Sequence, residues 1–116
     1  MAKQDISSQM LKGILQGCLL IMLNEAPMYG YSISQKLAEF GFADVPKGTI
    51  YPLLMNMEKK KLVEGRMQDS KEGPKRKYYY LTAAGIREMK NFMTQWRQLA
   101  DGVNQLIAER RIDDDY

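Results

Sequence analysis

The feature that most constrains this chain is its C-terminal apolar repeat. Ile86, Met89, Met93, Trp96, Ala100, Val103 and Ile107 follow one another with gaps that alternate three and four, and Phe92, Leu99 and Leu106 widen the stripe on one side. That is heptad spacing, and Thr82, just ahead of Ala83-Ala84-Gly85, is placed to cap the helix it predicts. A helix from Thr82 to Arg110 runs roughly 43 Å, whereas a domain of this size has a radius of gyration of about 13–14 Å. Such a helix overhangs its own body. The overhanging stripe needs a cover, and a second copy of the chain is the commonest one. Those seven repeat residues are therefore the candidate dimer contacts. The alternative, a helix lying wholly along its own core, is at odds with the length. Asp113-Asp114-Asp115-Tyr116 reads as an acidic tail.

Composition removes most other functions. The 116 residues suffice for one domain with a modest core. There is no His, and the one Cys, Cys18, sits in an apolar run. An imidazole base, a thiolate cluster and a zinc-ligand spacing are all missing, and nothing resembles a nucleophile–base pair or a phosphate loop. The expectation is a non-enzyme that holds no cofactor and no metal, in a reducing cytoplasm. Ile14 to Leu23 is too short to span a membrane, and Asn24-Glu25-Ala26-Pro27 offers no small-x-small cleavage site. A buried helix from about Ser8 to Leu23, then a turn over Asn24 to Met28, fits better.

Tyr29 to Phe40 reads as a second helix with Ile33, Leu37 and Phe40 inside, Tyr31 beside them and Gly41 as terminator. Phe42 to Pro46 connects it to a stretch with two unlike faces, Lys47 to Lys61. Ile50, Leu53, Leu54 and Met57 fall at i, i+3, i+4 and i+7, leaving Thr49, Tyr51, Pro52, Asn56 and Lys59 pointing elsewhere. Gly48 and Thr49 open this helix with Thr49 as candidate cap, since Pro52 is tolerated only in a first turn. Its open N-terminus favours a phosphate. Leu62 to Met67 and Lys77 to Leu81 read as strands joined by a long polar loop, Gln68 to Arg76, with Gly73-Pro74 in it. Period two puts Lys77, Tyr79 and Leu81 on one side, with Tyr79 and Leu81 facing the core, and Tyr78 and Tyr80 on the other. The three tyrosines read as packing residues ahead of base-stacking ones.

Three helices, a hairpin and a long helix make a mainly α chain with a small β-hairpin. The arrangement is a winged helix-turn-helix over residues 1–81, whose first helix also packs in the dimer, and a dimerisation helix with its tail over 82–116. Charge supports a polyanion partner. From Lys59 to Lys77 eight Lys and Arg stand against three acids, a local +5, while nine basic and eleven acidic residues elsewhere leave −2. The bland reading is a solvated charged loop. If the partner is double-stranded DNA, Lys59, Lys75, Arg76 and Lys77 are phosphate partners, joined by Lys71; Thr49 and Tyr51 can bond phosphate or touch a thymine methyl, and Asn56 can read adenine. A winged-helix module that binds protein and no DNA is the other class the residues allow.

Several blocks resemble one family throughout. Tyr29-Gly30-Tyr31-Ser32-Ile33, Gly48-Thr49-Ile50-Tyr51-Pro52-Leu53-Leu54, Met57-Glu58, Lys75-Arg76-Lys77-Tyr78-Tyr79 and Leu81-Thr82-Ala83-Ala84-Gly85 are similar to the PadR-type (phenolic acid decarboxylase repressor) transcriptional regulators, and Leu11-Lys12-Gly13 and Trp96 fit as well. The resemblance implies a dimeric winged-helix repressor that reads an operator and leaves it on binding a small molecule. It implies Thr49, Tyr51 and Pro52 as major-groove residues, with Lys47 at the same helix start, and Lys75 to Lys77 as wing contacts. Three departures stand out: family members usually carry basic residues where Met55 and Asn56 stand, Gly where Lys61 stands, and often Arg at Tyr80. In some members aromatics between the long helices line a flat apolar site. Trp96 with Met89, Phe92 and Met93 is the matching candidate for a small aromatic effector, and a plain dimer-core Trp is the reading beside it.

Overall fold

A computed structural model describes residues 7–42, 45–70 and 73–110. Lys71, part of the connection before Val45, and the acidic tail lie outside them. The order is α1 (Ser8–Glu25), β1 (Met28–Tyr29), α2 (Gly30–Glu39), α3 (Lys47–Lys59), β2 (Val63–Ser70), β3 (Gly73–Leu81) and α4 (Ala83–Glu109). The strands form one antiparallel sheet in the order β1-β3-β2. This is a winged helix-turn-helix followed by a long C-terminal helix.

The core forms where the apolar faces of α1, α2 and α3 converge on the sheet. Leu19, Leu20, Ile33, Leu37, Ile50, Leu54 and Met57 are fully enclosed, and Val63, Tyr79 and Met89 close the cluster. The α3 stripe is as expected: Ile50, Leu54 and Met57 are buried and Leu53 packs against them from the edge. Its start differs. Pro46, not Thr49, is the capping position, and its carbonyl accepts from the amides of Thr49 (2.9 Å) and Ile50 (3.2 Å). The helix therefore begins at Lys47, which puts Pro52 in its second turn. The ring has no N–H to return to the Gly48 carbonyl, and Gly48 is exposed, so water can satisfy that oxygen.

Three further expectations are corrected. Tyr29 is not helical; with Met28 it forms a two-residue strand paired to Tyr78 and Tyr79. Phe40 is the C-cap of α2 and is 68% exposed, and Tyr31 is 46% exposed, so neither joins the inner stripe. Gly41, at φ 90°, does end that helix. The hairpin is longer than its apolar segments suggest, because both strands continue through the polar stretch as far as Ser70 and Gly73. Lys75 and Arg76 thus sit on the same strand as Lys77 and not in a loop. A bulge between Gln68 and Ser70 absorbs Pro74, which cannot donate to a ladder, and the Ser70 hydroxyl donates to the Pro74 carbonyl at 2.9 Å.

Lys61 ends α3 in the left-handed region, with φ 62°. The corner is locked from α4: the Thr82 hydroxyl lies 2.7 Å from the Lys61 carbonyl and 2.9 Å from that of Leu62, while its oxygen accepts from the Gly85 amide at 3.0 Å. A side chain in this conformation costs roughly 1–2 kcal/mol, and glycine's extra unfolded-state freedom costs about 0.5–1 kcal/mol. Lys61→Gly is therefore expected to stabilise the chain by about 0.5–1 kcal/mol, read as a rise of a few degrees in thermal unfolding. No change or a fall would mean that the corner carries no strain.

Candidate nucleic-acid interface

The outward face of α3 is built by subtraction. Once Ile50, Leu54 and Met57 turn inward, Lys47, Thr49, Tyr51, Pro52, Asn56 and Lys59 are all left exposed on the helix. Met55, 65% exposed, shares that side. The amides of Lys47 and Gly48 lie at the open end of the helix, where partial positive charge collects.

The second half of the surface is β3. Lys75, Arg76 and Lys77 are exposed there, and their roles differ. Lys77 is tied to α3: its ammonium is 2.9 Å from a Glu58 carboxylate oxygen. To reach it the side chain crosses Gly65, where an added Cβ would fall 2.2 Å from the Lys77 Cε. The Glu58 bond holds the Lys77 proton on above the usual lysine range, with nearby charges adding to it. Lys77 thus clamps the hairpin to α3 with part of its charge already answered. Arg76 instead lies over an aromatic ring, its guanidinium carbon 4.6 Å from the Tyr29 centroid. Tyr29 is braced by Tyr78 across the β1–β3 pair at 5.3 Å and by Tyr31 at 6.4 Å. Lys47 stands 5.1 Å over Tyr31.

Further along β3, on the face that carries Arg76 and Tyr78, Tyr80 accepts a hydrogen bond from Gln68 and carries Arg66 at 4.7 Å over its ring. Buried Tyr79 has its phenol pushed above the usual range by loss of water.

These groups meet in one cleft of about 470 Å³, lined by Tyr29, Gly30, Tyr31, Tyr51, Arg76, Lys77 and Tyr79. Tyr51 lies across Gly30, where a Cβ would fall 2.5 Å from its ring. Three of the predicted residues, Tyr51, Arg76 and Lys77, come together here. Lys47 joins through Tyr31, whereas Thr49, Pro52, Asn56, Lys59 and Lys75 lie on the exposed surface outside the cleft lining. The sequence reading missed Tyr29 and Tyr31 as members. The signal available was an aromatic-Gly-aromatic triplet, in which the glycine admits a ring and the tyrosines flank it. The set of cations, hydroxyls and a helix N-terminus suits a phosphate backbone.

The long helix splits the predicted seam in two. Met89 is 7% exposed and belongs to the protomer's own core, with Met93 packed beside it. Phe92 seats on α1, over Gly17, where an added Cβ would lie 2.3 Å from the ring. These three make contacts within the protomer. Beyond them Trp96, Leu99, Val103, Leu106 and Ile107 are 45–59% exposed, and Ile86 is 37% exposed. Trp96 and Phe92 line a small apolar groove of about 210 Å³ with Ile14, Cys18, Ile21 and Phe42. Burial pushes the Cys18 thiol above its usual range, away from the reactive thiolate. None of the described helices is long and apolar enough to cross a membrane. No group of three or more potential metal ligands occurs among the described residues.

Comparison with known proteins agrees with the geometry. Residues 19–91, from the middle of α1 through the hairpin into α4, match the transcriptional regulator PadR-like family. A PadR-like transcriptional regulator from Bacillus cereus is 46% identical, over 86% of this chain and 97% of that one, with a TM-score of 0.79. A Streptococcus transcriptional regulator is 42% identical, over 86% and 98%, with a TM-score of 0.77. A PadR-like transcription factor from Bacteroides fragilis is 37% identical, over 85% and 95%, with a TM-score of 0.72. With an exposed helix face and a basic hairpin edge flanking one cleft, on a fold shared along nearly the whole of these relatives, the chain belongs to the PadR-like family of DNA-binding transcriptional regulators.

Proposed function

We propose that the chain is a homodimeric, sequence-specific repressor that binds a double-stranded DNA operator and is released by a small aromatic or apolar effector. The observation that carries the DNA half is the shared cleft, where α3 contributes Tyr51 and β3 contributes Arg76. With α3 in the major groove, Thr49, Tyr51, Pro52 and Asn56 face base edges, and Lys59, Lys75 and Arg76 face phosphates. Lys47 sits at the helix start, beside the backbone, and Lys77 sets the angle between hairpin and helix through Glu58.

The effector half rests on the apolar lining at Trp96, which one chain leaves incomplete. A groove of about 210 Å³ at Trp96 falls short of the roughly 300–1,000 Å³ typical of small-molecule sites. A second Trp96 across a dimer axis would complete it, with two indoles to hold a planar apolar molecule.

The test uses a duplex selected from a random pool by the unaltered protein, with binding followed by fluorescence anisotropy over a salt series. Tyr51→Ala is expected to weaken binding roughly tenfold or more. Arg76→Ala is expected to weaken it comparably and to reduce the salt slope by about 0.9 unit, one phosphate contact. Failure to enrich any duplex, or unchanged binding in both variants, would favour a protein-binding module.

A further inference from the structure

We propose that Tyr29 is a positioning residue for DNA binding: its ring holds the Arg76 guanidinium at the phosphate, a role that rests on reading β3 as a DNA-contacting strand. An arginine on an exposed strand has a long, flexible side chain that must be ordered before it can bond a phosphate. Here that ordering is built in. The guanidinium lies 4.6 Å from the Tyr29 centroid, within the range of a cation–π contact. A guanidinium held over a ring in this way commits none of its N–H donors to a carboxylate, so they stay available to phosphate oxygens.

The platform is itself fixed. Tyr29 is half-buried, is paired through its backbone to Tyr78, and touches the rings of Tyr78 and Tyr31. The neighbouring cations are placed differently. Lys77 is bonded to Glu58 and Arg66 to Glu64, whereas Arg76 among the described residues pairs with an aromatic ring and with no carboxylate. A ring orients a cation without cancelling its charge. The two-residue β1 strand thus acquires a purpose: it carries the start of α2 to the hairpin and puts Tyr29 under Arg76.

The experiment is a double-mutant cycle on the selected duplex, comparing Tyr29→Leu, Tyr29→Phe, Arg76→Ala and Tyr29→Leu/Arg76→Ala. Tyr29→Leu is expected to weaken binding about three- to fivefold, Tyr29→Phe to bind as the unaltered protein does, and the double variant to bind no more weakly than Arg76→Ala alone. Unchanged binding in Tyr29→Leu overturns the proposal. So do a multiplicative double variant, which would make Tyr29 act on its own, and an equal loss in Tyr29→Phe, which would assign the effect to the hydroxyl. If Arg76→Ala itself binds normally, the reading of β3 fails first. A measurement on the unaltered protein guards against a variant that does not fold. Ring current from Tyr29 should shift the Arg76 δ-protons upfield in the NMR spectrum, and ordinary shifts there overturn the proposal.

Discussion

Replacing Gly85 by alanine is expected to lower stability by about 2–4 kcal/mol, and the melting temperature by roughly 10–20 °C. Gly85 lies in the first turn of α4, and a Cβ there would fall 2.2 Å from the Leu62 carbonyl oxygen, 3.2 Å from its carbon and 2.6 Å from the Leu81 Cδ1. The first of these is backbone and cannot swing aside. The same oxygen accepts from the Thr82 amide at 3.1 Å and lies 2.9 Å from the Thr82 hydroxyl, so it is held on two counts. Relief requires the start of α4 to back away. That breaks the Thr82 cap, costing about 1 kcal/mol, and loosens Met89 in the core. Gly13→Ala is the control, since a Cβ there meets nothing within 4 Å on an exposed face of α1. It should be neutral or stabilising by up to about 1 kcal/mol. Thermal unfolding followed by circular dichroism checks both; equal behaviour of the two variants would show that α4 is not wedged against Leu62.

Gly85 also shows what could be read from the chain alone. Thr82 was legible as an N-cap because its chemistry is local: a hydroxyl before a helical pattern accepts from an amide three residues on. The tertiary use of the same hydroxyl, bracing Lys61 and Leu62 about twenty positions away, leaves no trace in a local pattern. The burial of Ile50, Leu54 and Met57 was legible from period alone, as was the alternation that sends Tyr79 inward. Tyr31 and Phe40 misled for a common reason. Their spacing fits the inner stripe of α2, but β1 fixes where that helix begins and Gly41 where it ends, so both rings fall at its margins. A strand of two residues has no period to detect, so the pattern alone assigns Tyr29 to the helix. Hydropathy alone gives too short a hairpin because Gln68 to Arg76 is polar, whereas ladder bonds between backbones do not require apolar side chains. Of the residues proposed to face DNA, those on α3 are legible as the remainder of an amphipathic helix. The Tyr29–Arg76 stack was not, because it joins elements far apart in the chain.

The largest effect on function is expected from Val103→Glu. Val103 is 47% exposed on the free half of α4, with Leu99, Leu106 and Ile107 around it. α4 runs 27 residues, and the molecule measures 54 × 34 × 21 Å with a radius of gyration of 16.6 Å, above the roughly 13–14 Å of a compact domain this size. The excess is the overhang. In one protomer a carboxylate at position 103 meets water and should leave folding almost untouched. In a symmetric pair it is buried twice, at several kcal/mol per uncompensated charge, enough to weaken association by at least about a hundredfold. If two reading heads must engage one duplex, operator affinity should fall with dimerisation, by about 10²-fold or more at concentrations where the variant is monomeric. Gln98→Glu adds the same charge outside the apolar stripe and is expected to leave both properties intact. Sedimentation velocity and anisotropy on the same samples decide the matter. A monomeric parent protein, or a Val103→Glu variant that remains dimeric, would leave the stripe on α4 without the partner proposed for it, whereas a variant that is monomeric yet still cooperatively folded would tie the overhang to assembly and not to the fold.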